Sequence, residues 1–503
     1  MKQPTACRSL DMPSRKLCRA LCLYALAIVL SFSQPVAALA QTGAPAPLPP
    51  AAQQALNKGI IAAKVPDYPL AIRYFEDARK LAPDAPVIYL NLGVAESKIP
   101  SRELRAMAWL GAYLAALPNA ANAAAVKEEI NVLKVRNQSN VSHMIKAAQD
   151  AANRGSWDKI SWSWKMREVS TLWAKSGDIA AALSIADLPE NGDKDFTLEE
   201  ISVVQAAQGD VPGAKTTANL IQRAEHKTET LIRIGSGQTD AKDVRGARVT
   251  FLSAFRAAGL IEILETRGDK LNALARAQID AGDIPAAHET LVSALESAEL
   301  SPADAHIKVR MQLQSGDAYI QMHDVASAKA VFSSAYNNSK LVDDAAQRSY
   351  EQSDLATSQA KAGDLANAAQ SLSAAQTSAN RVQGERKTFM LGQVAGARVH
   401  FAEAQTKSAV AYLPVALPPT PASDLPPRPI IRASDWLKVL DSNSQNCCAG
   451  LNSAPFLDLA AYLKSLPASD DPQKVFDGLF NTAERLVGTQ TAVVGMLNHQ
   501  LPR

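Results

Sequence analysis

Histidine and cysteine are the residue types in this chain best suited to metal or nucleophilic chemistry, so their spacing comes first. The histidines are His143, His226, His288, His306, His323, His400 and His499. No two stand four apart on one helix face and none neighbours a cysteine, so the usual zinc spacings are absent. Cys447 and Cys448 are adjacent. In an oxidising compartment they could form a strained ring, remain one buried and one exposed thiol, or bridge to a partner chain. Gly235-Ser236-Gly237 has a loop-like composition, but there is no Gly-x-Ser-x-Gly elbow and no phosphate loop. Glycoside chemistry would need a carboxylic acid with a raised pKa in a cleft. Glu484 is the only Glu after residue 433, and it falls in an amphipathic helical pattern as a surface residue. These residues predict no catalytic site, no metal and no cofactor.

The elements that would have to position any site are more regular than the chemistry. Seven phrases begin at Asp67, Asp178, Asp210, Asp243, Asp283, Asp324 and Asp364. Four residues on stand Ala71, Ala182, Ala214, Ala247, Ala287, Ala328 and Ala368. Four further stand Phe75, Ala186, Ala218, Phe251, Leu291, Phe332 and Leu372. Twelve residues before each of those alanines is a small residue: Gly59, Ser170, Ser202, Gly235, Ala275, Gly316 and Ala356. Recurring 3–4 spacing predicts two-faced helices. Small residues let two helix backbones approach, and a large one fills the space that remains. Gly-Asp before the second helix, as in Gly177-Asp178 and Gly282-Asp283, supplies a turn and a cap.

This pattern resembles the tetratricopeptide repeat, whose period is near 34 residues. From Asp178 to Asp210 is 32 residues, and the later steps lengthen to 40 and 41. The resemblance spans roughly residues 52–380. It implies an all-α fold, an α-solenoid of helical hairpins whose concave face is lined by first helices. Ligand-facing positions in the family are the second, fifth and ninth of each repeat. On this chain they are Gln53, Leu56 and Ile60, then Val87, Leu90 and Val94. Family members that grip a peptide carboxylate use polar and basic residues there. The apolar residues here imply instead a groove for an amphipathic segment, or else side chains that pack on a neighbouring turn of the array.

The ends of the chain read differently. Lys2, Arg8, Arg15, Lys16 and Arg19 precede an apolar run, Ala20 to Phe32, and a small-residue site, Ala38-Leu39-Ala40. Residues 1–40 read as a secretory signal peptide, which places the protein in the periplasm or outside the cell. Without them the chain has 47 basic residues (52 less five) and 49 acidic (50 less Asp11), a net of −2. That balance gives no electrostatic case for nucleic acid, and no membrane span is expected after cleavage. Residues 41–51 form a Pro/Ala linker. Residues 52–140 read as N-terminal repeats, with Asn119 to Asn140 capping or bridging, and 141–405 as the main array. Seven prolines between Pro414 and Pro429 mark 406–433 as a Pro-rich linker. Residues 434–503 read as a small helical unit capping the last repeat. Within it Ala460 to Leu466 resembles the last helix of a c-type cytochrome, but no Cys-x-x-Cys-His accompanies it, so haem attachment is excluded. The sequence thus predicts a non-enzymatic adaptor or assembly scaffold of the cell envelope with a protein or peptide partner. The alternative is a peptidoglycan-associated protein, accessory to a cell-wall enzyme.

Overall fold

Aspartates before apolar stripes start helices, and glycines in the left-handed region end them; the computed structural model shows both devices repeating along the chain. It describes residues 47–188, 193–410, 431–441 and 471–500. The signal-like residues 1–40, most of the Pro-rich stretch, Cys447 and Cys448, and the expected helix over 453–466 lie outside these. The described residues contain twenty helices and no strand. They fall into two units, divided between Ile88 and Tyr89.

The first unit is built on one hairpin, α1 (Pro50–Lys64) and α2 (Tyr68–Leu81). The helix starts at Pro50, just inside the expected linker. Asp67 Oδ1 accepts the Leu70 N–H at 3.1 Å, satisfying one of the donors that a helix start leaves open. Ala71, Phe75 and Ala78 are buried on α2, and a Cβ added to Gly59 on α1 would run into the Phe75 ring. The small–large register expected from the spacing is therefore the observed packing. α3 (Pro86–Glu96) runs through the division.

The second unit continues with α4 (Glu103–Ala116), in which twelve of fourteen residues are buried, and α5 (Ala123–Arg154), a 32-residue helix. α5 carries straight through residue 140, so the expected bridge is a single long helix. Six hairpins follow: α6 (Lys159–Ser176) with α7 (Ile179–Ala186), α8 (Lys194–Ala207) with α9 (Val211–Asn219), α10 (Ala224–Asp240) with α11 (Val244–Ala258), α12 (Leu264–Asp280) with α13 (Ile284–Leu300), α14 (Ala305–Gln321) with α15 (Val325–Ser339), and α16 (Ala345–Lys361) with α17 (Leu365–Arg381). Each first helix also packs on the next first helix. The described residues of this unit form an all-α solenoid of tetratricopeptide-like hairpins.

Two local devices fix the hairpin turns. Asp178, Asp210, Asp243 and Asp324 each accept a backbone N–H at 2.9–3.0 Å. Asp283 and Asp364 start their helices without that bond. The residue before the cap is left-handed whether it is glycine, as Gly177, or not, as Lys242 and His323. A buried glutamine ties the turn to the second helix. Gln238 Nε2 donates to Asp243 at 2.8 Å while its Oε1 accepts the Thr250 hydroxyl at 2.6 Å, and Gln205 does the same with Asp210 and Thr217.

The array ends on α18 (Glu385–Val410), which covers α16 and α17 with Met390, Val394 and Ala397. The chain then returns. α19 (Ala433–Asp441) and α20 (Pro472–Gln500) pack near the start of the unit, not on the last repeat as the sequence suggested. Trp436 of α19, fully buried, lies flat on Gly111 of α4, where a Cβ would stand 2.6 Å from the indole. Gln500 accepts the Trp436 indole N–H at 2.8 Å and donates to the Gly111 carbonyl at 3.0 Å. α20 lies along α5 and reaches α6, with Gln490 bonded to Asn137 and Gln138.

Candidate partner-binding face

The six residues expected to face a ligand are divided by the fold. Gln53, Leu56 and Ile60 lie on α1 and Val87 at the start of α3, all in the first unit; Leu90 and Val94 lie further along α3, in the second. Leu56 is 3% exposed and belongs to the core, Gln53 is open, and Val87 is 38% exposed. Ile60, Leu90 and Val94 are half-buried.

The same three positions carried onto the hairpin that begins with α6 are Trp164, Arg167 and Thr171, since Ser170 is its small crossing residue. Here the chemistry concentrates. Trp164 is 53% exposed and the Arg167 guanidinium stacks 4.2 Å from its ring centre. On the next first helix Phe196 occupies the second position, 37% exposed, with Arg167 at 5.8 Å and Arg223 at 5.3 Å from its ring. The His226 ring meets Phe196 edge-on at 4.3 Å. The result is an alternating row, Trp164–Arg167–Phe196–Arg223, running from the second and third turns of α6 across the first turn of α8 to the residue that caps α10. Cation–π contacts of this kind contribute about 0.5–1 kcal/mol each when exposed.

Beside the row opens a cleft of about 530 Å³ between α6, α8 and α20. Arg167, Glu168, Thr171, Lys175, Phe196 and Glu200 line it from the repeats; Phe480 and Glu484 line it from α20. Glu484 is exposed at its margin, as its sequence context suggested. Burial raises the Glu168 carboxyl above its ordinary range; Lys165 and Arg167 work against this, while Asp477 and Glu484 add to it. Burial also acts upward on Asp195 at the start of α8, but the backbone N–H groups of Gln222 and Arg223 and the Arg223 side chain reverse it, and the net shift is downward. Asp195 thereby anchors α10 and holds Arg223 at the end of the row, Oδ2 to Nε at 3.2 Å.

From α10 to α14 the second position is charged, as Glu229, Asp269 and Arg310, and is spent between repeats; on α16 it is Tyr350. Glu229 pairs with Lys270 at 2.8 Å and Asp269 takes Arg310 in a two-bond fork at 2.8 and 3.0 Å. Among the described residues no group of three His, Cys, Asp or Glu side chains could hold a metal, and no helix is long and apolar enough to cross a membrane.

No family model matches the chain, and no curated protein matches it. Among solved structures it is similar to yeast Tom70, at 14% identity over 72% of this chain and 97% of that one, with a TM-score of 0.19. It is also similar to the P58(IPK) TPR domain, at 13% identity over 70% and 99%, with a TM-score of 0.18. At those scores neither likeness carries an argument, and the repeat architecture rests on the helix pairs described above.

Proposed function

We propose that this protein is a non-enzymatic scaffold of the cell envelope that holds a peptide or amphipathic helix of a protein partner on the first helices α6, α8 and α10. The observation that carries this reading is the exposed aromatic–cation row opening into the α20-bordered cleft. Aromatic and arginine side chains are the usual energetic anchors of a protein interface. The signal-like composition of residues 1–40 supports the envelope location. The test is photo-crosslinking in intact cells from position 164, then affinity purification and mass spectrometry. One dominant envelope protein is expected, its yield falling roughly 30-fold in Phe196→Ala, the loss of about 2 kcal/mol of anchoring. Equal capture by Phe196→Ala and unmodified protein would sink the proposal.

A second reading has its own support. Glu168, an exposed residue at the cleft that Glu484 also lines, has a carboxyl shifted upward, the direction that glycan chemistry needs in its acid. It would make the chain a peptidoglycan-associated protein. Incubation of purified protein with cell-wall sacculi separates the two: released sugar products that disappear in Glu168→Gln would favour this reading.

A further inference from the structure

On the opposite side of the hairpins, the groove between second helices α15 and α17 departs from the pattern of its predecessors. In four successive hairpins the residue eight before the small crossing position is a cation: Lys227, Arg267, Lys308 and Arg348. Each donates to a backbone carbonyl: Lys227 and Lys308 to Asn219 and Glu299 in the last turn of the preceding second helix, at 3.1 and 3.4 Å, and Arg267 and Arg348 to Ile261 and Val342 in the loop just after it, at 2.7 and 2.6 Å. Arg348 is thus part of the repeat. Two further cations in its groove are not. Nine residues after the large core position the chain has Leu260, Leu300 and Leu341, each 68–73% exposed, and then Arg381. Eight residues after it, Glu299 in one hairpin becomes Lys340 in the next.

The consequence is a cleft of about 380 Å³ that Lys340, Arg348 and Arg381 line together with the hydroxyl residues Tyr336, Ser373 and Thr377. No carboxylate lines it. The equivalent positions one hairpin earlier, Glu299, Lys308 and Leu341, sum to no net charge. Lys340 rests over the Tyr336 ring at 4.2 Å, and Arg381 has no hydrogen bond or ion pair among the described residues. Lys340 also donates to Asn337 at 3.0 Å and the Thr377 hydroxyl to the Ser373 carbonyl at 2.9 Å, so the cations carry the case: three of them in so small a space suit a doubly charged tetrahedral anion better than a single carboxylate. We propose that this cleft binds the phosphate group of a small ligand, either inorganic phosphate or a phosphate monoester.

The preceding hairpin designs the test. Lys340→Glu with Arg381→Leu installs its residues, so the double variant keeps side chains the fold already tolerates. Calorimetric titration of the full chain would use inorganic phosphate, glycerol 3-phosphate and acetate at one ionic strength. Both phosphates are expected to bind at pH 7.5 and to weaken about 10-fold at pH 5, where the second phosphate proton returns. Acetate is expected to bind at least 10-fold more weakly than either. The double variant should lose at least 10-fold in phosphate affinity, and Arg381→Leu alone at least 3-fold. Equal affinity for both phosphates assigns the site to the anion itself; tighter binding of glycerol 3-phosphate assigns it to an ester. Binding by acetate at the strength of phosphate, binding unchanged in both variants, or no binding of either phosphate would each overturn the proposal.

Discussion

Glu351 shows what a single buried carboxyl does to this fold. It sits on α16, 4% exposed, where that helix meets α17 and α18. Gln347 donates to one oxygen at 2.9 Å, and the other oxygen, Oε2, has no partner among the described residues. Burial pushes the carboxyl up from its ordinary 4.5 to about 7, against the Gln347 hydrogen bond and with help from Asp354. The sign of the pH dependence follows. Below 4.5 both folded and unfolded chains hold the proton, and the fold keeps its full stability. Between 4.5 and 7 the unfolded chain ionises while the folded one does not, so stability is lost as pH rises, then levels off above 7. The loss is on the order of 3 kcal/mol. Glu351→Gln should therefore flatten most of the decline and raise stability at pH 8. Asp354, also shifted upward by burial, leaves a residual slope. Urea unfolding midpoints at pH 5, 6 and 8 measure it; parallel curves for variant and parent would mean that the carboxyl already ionises in the folded chain.

Between residues and molecule stands the helix crossing, the element the sequence states most clearly. A Cβ on Gly316 of α14 would collide with the Phe332 ring of α15, as it would at Gly235 with Phe251. Two effects then oppose each other in Gly316→Ala. Helix propensity favours alanine by about 1 kcal/mol, while overpacking costs about 1–3 kcal/mol. A net destabilisation of about 1 kcal/mol is expected, and it should vanish in Gly316→Ala/Phe332→Leu, because the smaller side chain vacates the collision. A double-mutant cycle by thermal or urea unfolding reads this directly. Additive costs would mean that the two residues do not share the crossing. These crossings were legible because the repeat writes them seven times at one spacing. The aromatic–cation row was legible in principle, since Trp164, Arg167 and Phe196 occupy the family's ligand positions in later repeats than the first two. The cleft beside the row was not legible. It needs Phe480 and Glu484 from a helix about 300 residues away in sequence, and no periodicity encodes which face a returning helix will choose. The glutamine locks escaped for a similar reason: Gln238 reads as an ordinary surface residue until Asp243 and Thr250 are seen to close around it.

At the scale of the second unit the unexpected feature is where the chain's last helices go. Stacked hairpins interact with nearest neighbours, so each end of an array needs cover. α18 already covers α16 and α17, leaving the C-terminal helices free to serve the other end. Phe476, Leu486, Val487, Val493 and Leu497 of α20 are buried, and side chains of that size contribute about 1.5–3 kcal/mol each when removed from water. Lys165, only 9% exposed, rests its ammonium 4.5 Å from the Phe476 ring and 4.3 Å from Trp157, so the helix also shields a buried cation. Removing residues 471–503 should therefore open α5 and α6, and leave the distant hairpins α14 to α17 with almost their original protection. Hydrogen exchange followed peptide by peptide makes the distinction. Loss of protection confined to α4, α5 and α6 is the outcome this packing requires. Loss that begins instead in α16 and α18 would mean that α20 stabilises the far end of the array, and that its contacts with Asn137, Gln138 and Gly111 are incidental to its role. Because α20 also forms one wall of the cleft beside Phe196, the truncated chain should fail to retain the crosslinked partner even where its remaining repeats stay folded.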